Sequence, residues 1–243
     1  MKIGILQTGR VPEELYDQYG EYPDMFQVML AQADPTLSFQ TWAALDNVLP
    51  GDPRACEAWL ITGSKFGVYD PEPWIEPLKD FLRAVRAARV PLIGICFGHQ
   101  VMAEAFGGRA VKSDKGWGAG VHSYRIDSQP GWFGHDTPGF EMYAMHQDQV
   151  TALPDDATVL ASSEFCPVAM VAYGDVQAPE AISIQPHPEF PGDYARALID
   201  IRGELLGADG AARARASFET PVHGRAFAEW AVRYLQTVRA PAA

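Results

Sequence analysis

Residues 91–100 read Pro-Leu-Ile-Gly-Ile-Cys-Phe-Gly-His-Gln, and this decapeptide decides the fold. The apolar run Pro91 to Ile95 has the length and composition of a strand buried on both faces. Just after Cys96 the apolar period changes: Val101, Met102, Ala105 and Phe106 recur at helical spacing. A strand therefore runs into a helix, with Cys96 at the junction. Gly94 and Gly98 stand two residues before and two after it, the G-x-C-x-G spacing of a nucleophile elbow with cysteine where hydrolases place serine. Small flanking residues allow the sharp turn that lifts the side chain out at the carboxyl end of the sheet, where open α/β sheets carry their sites. The sulfur then sits at a helix N-terminus, whose partial positive charge favours thiolate. The Phe97 N–H is free to face an oxyanion.

Outward from this point, strands and helices alternate. Strands are predicted at Lys2 to Gln7, Leu37 to Trp42 and Ala58 to Thr62, and helices at Tyr22 to Ala33 and Trp74 to Arg89. In the second helix Ile75, Leu78, Leu82 and Val85 share a face. Strand-helix-strand repetition implies parallel strands with right-handed crossovers. The second half changes character. Short strands are predicted at Gly120 to Ile126, Phe140 to His146, Thr158 to Ser162, Val168 to Tyr173 and Ala181 to Gln185, separated by turn signals. The expected fold is thus an open, mostly parallel α/β sheet flanked by helices, flavodoxin-like, with a small antiparallel flap. One domain spans 1–243, with a core of about 1–191 and a C-terminal helical extension of about 192–239. Phe227, Trp230, Ala231, Tyr234, Leu235 and Val238 form the docking stripe of the last helix. Gly207 to Ser217 reads as a loop or a weak helix, and Ala240 to Ala243 as a frayed end. Arg10 to Asp24 reads as a solvated acidic insert, with Tyr16, Tyr19 and Trp117 as residues that would line a site entrance.

The 243 residues carry a net charge of −12, which repels phosphate backbones and disfavours a nucleic-acid partner. No run of eighteen apolar residues occurs, so no membrane span is expected. The N-terminus lacks the apolar stretch and small-residue cleavage site of a signal peptide. Three cysteines, Cys56, Cys96 and Cys166, are too few and odd in number for a disulfide framework, which fits a reducing, cytoplasmic setting. Cys56 and Cys166 read as buried small hydrophobes. Without CxxC or HxxxH, no metal site is expected.

A thiol nucleophile needs a base within reach and a third group to orient that base. Of the six histidines, His187 has the best surroundings. The strand at Ala181 to Gln185 leads into Pro186-His187-Pro188-Glu189, where two prolines restrict the backbone around the imidazole. Glu189, two residues on, can fix the ring tautomer and stabilise the imidazolium. His99 reads as structural, pointing into the helix after the elbow. His122, His135 and His223 have no comparable context.

The pair Gly-Ile-Cys-Phe-Gly-His-Gln at 94–100 and Gln-Pro-His-Pro-Glu at 185–189 resembles the class I glutamine amidotransferases in motif, order and spacing. The likeness runs from about Met1 to Pro191 and is nearest to stand-alone, GMP-synthase-like members. It implies a Cys96-His187-Glu189 triad that hydrolyses the glutamine side-chain amide through a γ-glutamyl thioester, with no metal or organic cofactor. It also implies that Leu60 to Ser64 is an oxyanion loop, with Gly63 and Ser64 supplying a backbone donor opposite Phe97. Ser64-Lys65 stands there where the family has Gly-Pro. Gln100 matches a position that holds the substrate glutamine. Met145 to Val150 resembles the family's Ser-His-Gly-Asp-x-Val segment, which places His146 and Asp148 near the substrate backbone, with Gln147 in place of glycine. The expected ligand is a small molecule, glutamine or a γ-glutamyl relative, and a separate synthetase or ammonia acceptor is the partner that the resemblance allows. A γ-glutamyl peptidase and a non-catalytic binding protein on the same scaffold are the alternatives. The cysteine-elbow chaperone and deglycase proteins lack the His-Pro-Glu element.

Overall fold

A computed structural model of the chain describes residues 1–239, and the Ala240 to Ala243 end lies outside the described residues. The strands are β1 (Lys2–Leu6), β2 (Ser38–Trp42), β3 (Ala58–Ile61), β4 (Leu92–Ile95), β5 (Arg109–Lys112) and β6 (Gly118–Ile126). They continue with β7 (Gly139–His146), β8 (Asp148–Ala152), β9 (Ala157–Ser162), β10 (Met170–Tyr173) and β11 (Ala181–Ile184). The helices are α1 (Glu13–Tyr19), α2 (Tyr22–Ala33), α3 (Ile75–Ala87), α4 (Phe97–Ala105), α5 (Gly192–Ile201), α6 (Gly203–Ser217) and α7 (Gly224–Arg239).

Nine strands form one sheet in the order β2-β1-β3-β4-β11-β10-β9-β6-β7. The run from β2 to β11 is parallel, and the rest continues antiparallel. The second-half strands are therefore continuous with the α/β sheet; β5 and β8 alone pair as a separate ribbon among the described residues. The parallel strands are apolar on both faces because both are covered. Ala58, Leu60, Ile93 and Ile95 join one core, whereas Trp59, Ile61 and Leu92 join the other. Helices α3 and α4 fill the second core; α2, α5 and α7 fill the first. In α7 the expected stripe is buried: Phe133 stacks on Trp230 at 4.4 Å. The Tyr234 hydroxyl reaches the carbonyls of Glu180 at 3.1 Å and Leu92 at 3.4 Å, tying the last helix to the sheet centre.

Three segments differ from the sequence expectations or decide between them. Residues 10–24, expected as a solvated loop, form α1 and the start of α2. Val11, Leu15 and Tyr22 are buried, and the Glu21 carboxylate accepts from the Val11 N–H and the Gln7 side chain, each at 3.1 Å. Residues 208–217 take the helical of the two expected forms, within α6, which breaks at Gly207 (φ +70°). That helix buries just Ala211 and Ala214, too narrow a stripe to stand out as an apolar period. Neither ribbon strand was expected: β5 buries only Ala110 and β8 only the adjacent Gln149 and Val150, so neither alternates. No helix among the described residues is long and apolar enough to cross a membrane.

Candidate active site

The junction between β4 and α4 places Cys96 at φ +54°, ψ −104°. A non-glycine residue in this region stores about 1–3 kcal/mol of strain and persists only where its surroundings over-determine it. Here the Cys96 N–H donates to the Ile184 carbonyl at 2.9 Å, and its carbonyl accepts from the Gln100 N–H at 3.1 Å. The flanking glycines make the turn possible: a Cβ on Gly94 would lie 2.6 Å from the Gly98 carbonyl oxygen, and one on Gly98 would lie 2.6 Å from that of Ile61. Phe97 opens α4, so its N–H is one of the first-turn amides that no helical carbonyl can reach.

β11 lies beside β4 and in parallel, so residues just past their ends come together. His187 follows β11 and is pinned by its N–H, which donates to the Tyr143 carbonyl at 2.8 Å. Its Nδ1 lies 2.8 Å from Glu189 Oε1, which leaves Nε2 as the ring nitrogen available to the Cys96 side chain nearby. Burial pushes the imidazole down, but Glu189 and a Cys96 thiolate more than offset that and raise it to about 10. Phe190 stacks flat on the ring at 4.0 Å, and Tyr22 of α2 stacks on Phe190 at 6.1 Å. Tyr194 donates to the Tyr22 hydroxyl at 3.2 Å behind them. An aromatic pile thus sets the imidazole plane from behind.

Gly63 closes the cluster from the β3 side. A Cβ there would lie 3.0 Å from His187 Cε1 and 3.6 Å from Cys96 Cβ. The Gly63 carbonyl accepts from the hydroxyls of Thr8 at 3.2 Å and Thr62 at 3.1 Å, which turns the loop's other side toward the sulfur. Ser64 Oγ accepts from the Phe66 N–H at 3.2 Å, so the Ser64-Lys65 variant closes as a hydroxyl-capped turn. Because His187 is held by both Glu189 and Phe190, it cannot give way cheaply to a methyl group. Gly63→Ala is expected to lower kcat by roughly 10- to 100-fold, on the scale of a small misplacement of a reacting group, with little change in KM. Steady-state kinetics beside a thermal melt checks this, and an unchanged kcat would contradict it.

A cavity of about 300 Å³ opens over Cys96, with Ser64, Gln100, Trp117, His146 and Asp148 among its lining residues. Gln100 is fixed by its Nε2, which donates to the Asp148 carbonyl at 3.1 Å and to Gln185 Oε1 at 3.0 Å. His146 Nδ1 lies 3.0 Å from the Asp148 carbonyl and must be the protonated nitrogen, so Nε2 is a buried acceptor without a partner among the described residues. Burial pushes His146 down to about 3, which keeps it neutral. The Asp148 carboxyl is raised by burial and by Asp70, against the opposing pull of the Tyr69 hydroxyl and Lys112. The cavity wall thus alternates acids (Asp70, Asp148) with cations (Lys65, Lys112, Arg202), a pattern suited to a zwitterion.

The structure brings Cys96, His187, Glu189, Gly63, Ser64, Phe97, Gln100, His146 and Asp148 to one place. Trp117 lines the cavity as expected, but Tyr16 and Tyr19 do not. Tyr16 is exposed on α1, and Tyr19 meets the Tyr194 ring edge-on at 5.2 Å. His99 does not point along its helix. Its ring crosses to Ser183 Oγ at 2.7 Å and the Val168 carbonyl at 3.1 Å, and burial pushes it down to about 4. Cys56 and Cys166 are buried, and burial raises both thiols. Sequence reasoning missed Phe190, Tyr69, Asp70, Lys112 and Arg202. Only Phe190, next to Glu189, carried a signal that could have found it.

The family described as Glutamine amidotransferase class-I matches residues 57–197, which hold every one of these nine residues. The chain belongs to the class I glutamine amidotransferases. Among relatives of this amidotransferase, γ-glutamyl peptidase 3 of Arabidopsis thaliana is 28% identical over 83% of each chain. The glutamine-hydrolyzing GMP synthase subunit of Halobacterium salinarum is 37% identical over 41% of this chain and 53% of its own. The solved structure of a glutamine amidotransferase from Methylobacillus flagellatus shares the fold at a TM-score of 0.74 and 21% identity, covering 100% of this chain and 97% of that one.

Proposed function

We propose that this amidotransferase hydrolyses γ-glutamyl amides, glutamine first among them, with Cys96 as nucleophile, His187 as acid and base, and Glu189 as the group that orients His187. The observation that carries this reading is the placement of His187: Nδ1 on Glu189, the ring beside Cys96 across Gly63, and the ring plane set by Phe190. The sulfur attacks the γ-carbonyl carbon, and the oxyanion is received by the backbone N–H of Phe97 and of the Gly63-Ser64 loop. As the C–N bond breaks, His187 Nε2 gives its proton to the leaving nitrogen, and a γ-glutamyl thioester remains on Cys96. Water then adds to the thioester with His187 taking its proton. The C–S bond breaks, glutamate leaves and the thiolate is restored. Asp148 and Asp70 receive the α-ammonium group, which relieves the mutual repulsion of their carboxylates; Gln100 and His146 hold the rest of the glutamyl group. No step calls on a metal or organic cofactor.

A second reading, cleavage of γ-glutamyl peptides, is favoured by the Arabidopsis thaliana peptidase, which matches over most of both chains. A separate synthetase as ammonia acceptor is the partner that the Halobacterium salinarum relative suggests. The test is a screen of the pure protein against glutamine and γ-glutamyl peptides with glutamate and ammonia readouts. Glutamate release from either class supports the reading. Inertness toward all of them, alone and with a synthetase added, sinks it.

A further inference from the structure

A second chamber of about 610 Å³ lies beside the cavity over Cys96 and shares Trp117 as a lining residue. Its roof is α6. Gly210, Arg213 and Ser217 recur at steps of three and four, so one helical face looks down on β6, and Leu206 joins the lining from the other side of the Gly207 break. Arg202, four residues before Leu206, stands over the first cavity, and so the same stretch of chain covers both. The far end of α6 is clamped to β6: the Ser217 hydroxyl accepts from the Val121 N–H at 2.7 Å. Gly120 lets the helix backbone approach, since a Cβ there would lie 2.8 Å from the Ala214 carbonyl oxygen. The helix breaks at Gly207, and residues on both sides of that break line the chamber.

The chemistry of the chamber is opposite to that of the chain as a whole. The protein has 31 acidic against 19 basic residues, yet no acidic side chain lines this space, whereas Lys115 and Arg213 do. The Lys115 ammonium is occupied by the carbonyls of Glu164 and Phe165, at 2.7 and 3.0 Å. Arg213 is exposed on α6 and has no hydrogen-bond or ion-pair partner among the described residues, so its guanidinium is open to solvent and to a ligand. Trp117 and Phe165 give the walls an apolar, aromatic character. A cation above aromatic walls suits a carboxylate carried on a short organic body.

We propose that this chamber is the leaving-group subsite of the enzyme: it takes the amino acid or dipeptide attached to the γ-glutamyl nitrogen, with Arg213 receiving its terminal carboxylate. The inference rests on the γ-glutamyl hydrolase reading above and gives its substrate class as γ-glutamyl peptides that end in a free carboxylate. A leaving group bound to the scissile nitrogen passes Trp117 and enters under α6. When the C–N bond breaks it departs as a free amine, with the proton that His187 supplies. Glutamine, whose leaving group is ammonia, leaves the chamber unused.

The test compares glutamine, γ-glutamyl-alanyl-glycine and the C-terminal amide of that peptide on the wild type, Arg213→Ala and Gly210→Leu. Neither variant touches the machinery at Cys96. The wild type should cleave the free-acid peptide with a higher kcat/KM than glutamine. Arg213→Ala should cost the free-acid peptide about tenfold, the scale of one charge-assisted contact, while glutamine and the peptide amide stay within about twofold. Gly210→Leu fills the chamber and should raise KM for both peptides but not for glutamine. Glutamine hydrolysis with slower or no peptide cleavage, or an equal loss on acid and amide in Arg213→Ala, overturns the subsite and leaves the hydrolase reading standing. If nothing is hydrolysed, that reading falls. The subsite is then judged by calorimetry of the intact peptide on Cys96→Ala: binding about tenfold weaker with Arg213→Ala supports it, and no binding or equal binding overturns it.

Discussion

Cys96→Ala is expected to fold as the wild type does and to lose γ-glutamyl amide hydrolysis by about 10⁴-fold or more, the scale seen when one member of a nucleophile-base unit is removed. The backbone at this position is held by two main-chain hydrogen bonds that do not involve the sulfur, so truncation leaves the turn in place. The cost in stability should be small, because only one buried heavy atom is lost. What disappears is the atom that forms the thioester. A matching expectation concerns labelling. Iodoacetamide should modify Cys96, which lines the cavity, ahead of Cys56 and Cys166, whose thiols are raised by burial. Peptide mass mapping after partial inactivation gives the order. A folded Cys96→Ala enzyme with near-wild-type turnover would end the proposed mechanism.

His187→Ala should lose nearly as much, whereas Glu189→Gln should retain roughly 100-fold more activity than His187→Ala, because orienting a base costs less to lose than the base itself. The two variants should also differ in stability. The Glu189 side chain is fully buried, so removing His187 leaves a carboxylate without its partner, at a cost of about 3–5 kcal/mol. Glu189→Gln keeps a hydrogen-bonding group of the same shape. The pH profile separates the roles further. Glu189 and Cys96 together hold the imidazole up to about 10 against burial. Without the Glu189 charge Cys96 alone opposes burial, the imidazole loses its proton at lower pH, and the alkaline limb of kcat/KM should move down. A Glu189→Gln profile that overlays the wild type, or a loss exceeding that of His187→Ala, would reverse the two assignments.

The parts of this molecule that could be read in advance are those where chemistry and local geometry coincide. Gly94-x-Cys96-x-Gly98 marks both a sharp turn and the proposed nucleophile. The prolines around His187 mark both a stiff backbone and a positioned imidazole. The parallel strands stand out because burial on both faces makes them uniformly apolar. Other parts stayed hidden for physical reasons. Strand β5 buries one side chain and so carries no period. Helix α6 packs through alanine, which is as common in a loop of small residues as in a tight helix contact. The cavity's Tyr69, Asp70 and Arg202 come from separate loops and turns that only the fold brings together. The role of residues 10–24 was read from their charge, yet their structural contribution is Tyr22, which leans on Phe190 behind the imidazole.

One feature of the sheet bears on how the protein is made. Strand β11 is the last to be synthesised, yet it lies at the middle of the sheet, between β4 and β10. Until residues 181–184 have left the ribosome, the strands on either side of that gap have no partner there. Each offers an open edge of the kind that invites aggregation. Long-range pairing of this sort folds slowly, because distant segments must meet before any contact is gained. The same insertion carries His187 and Glu189 up to Cys96. A nascent chain therefore holds Cys96 without its proposed base until the final strand enters, and the proposed reactive pair is assembled by the same event that closes the sheet.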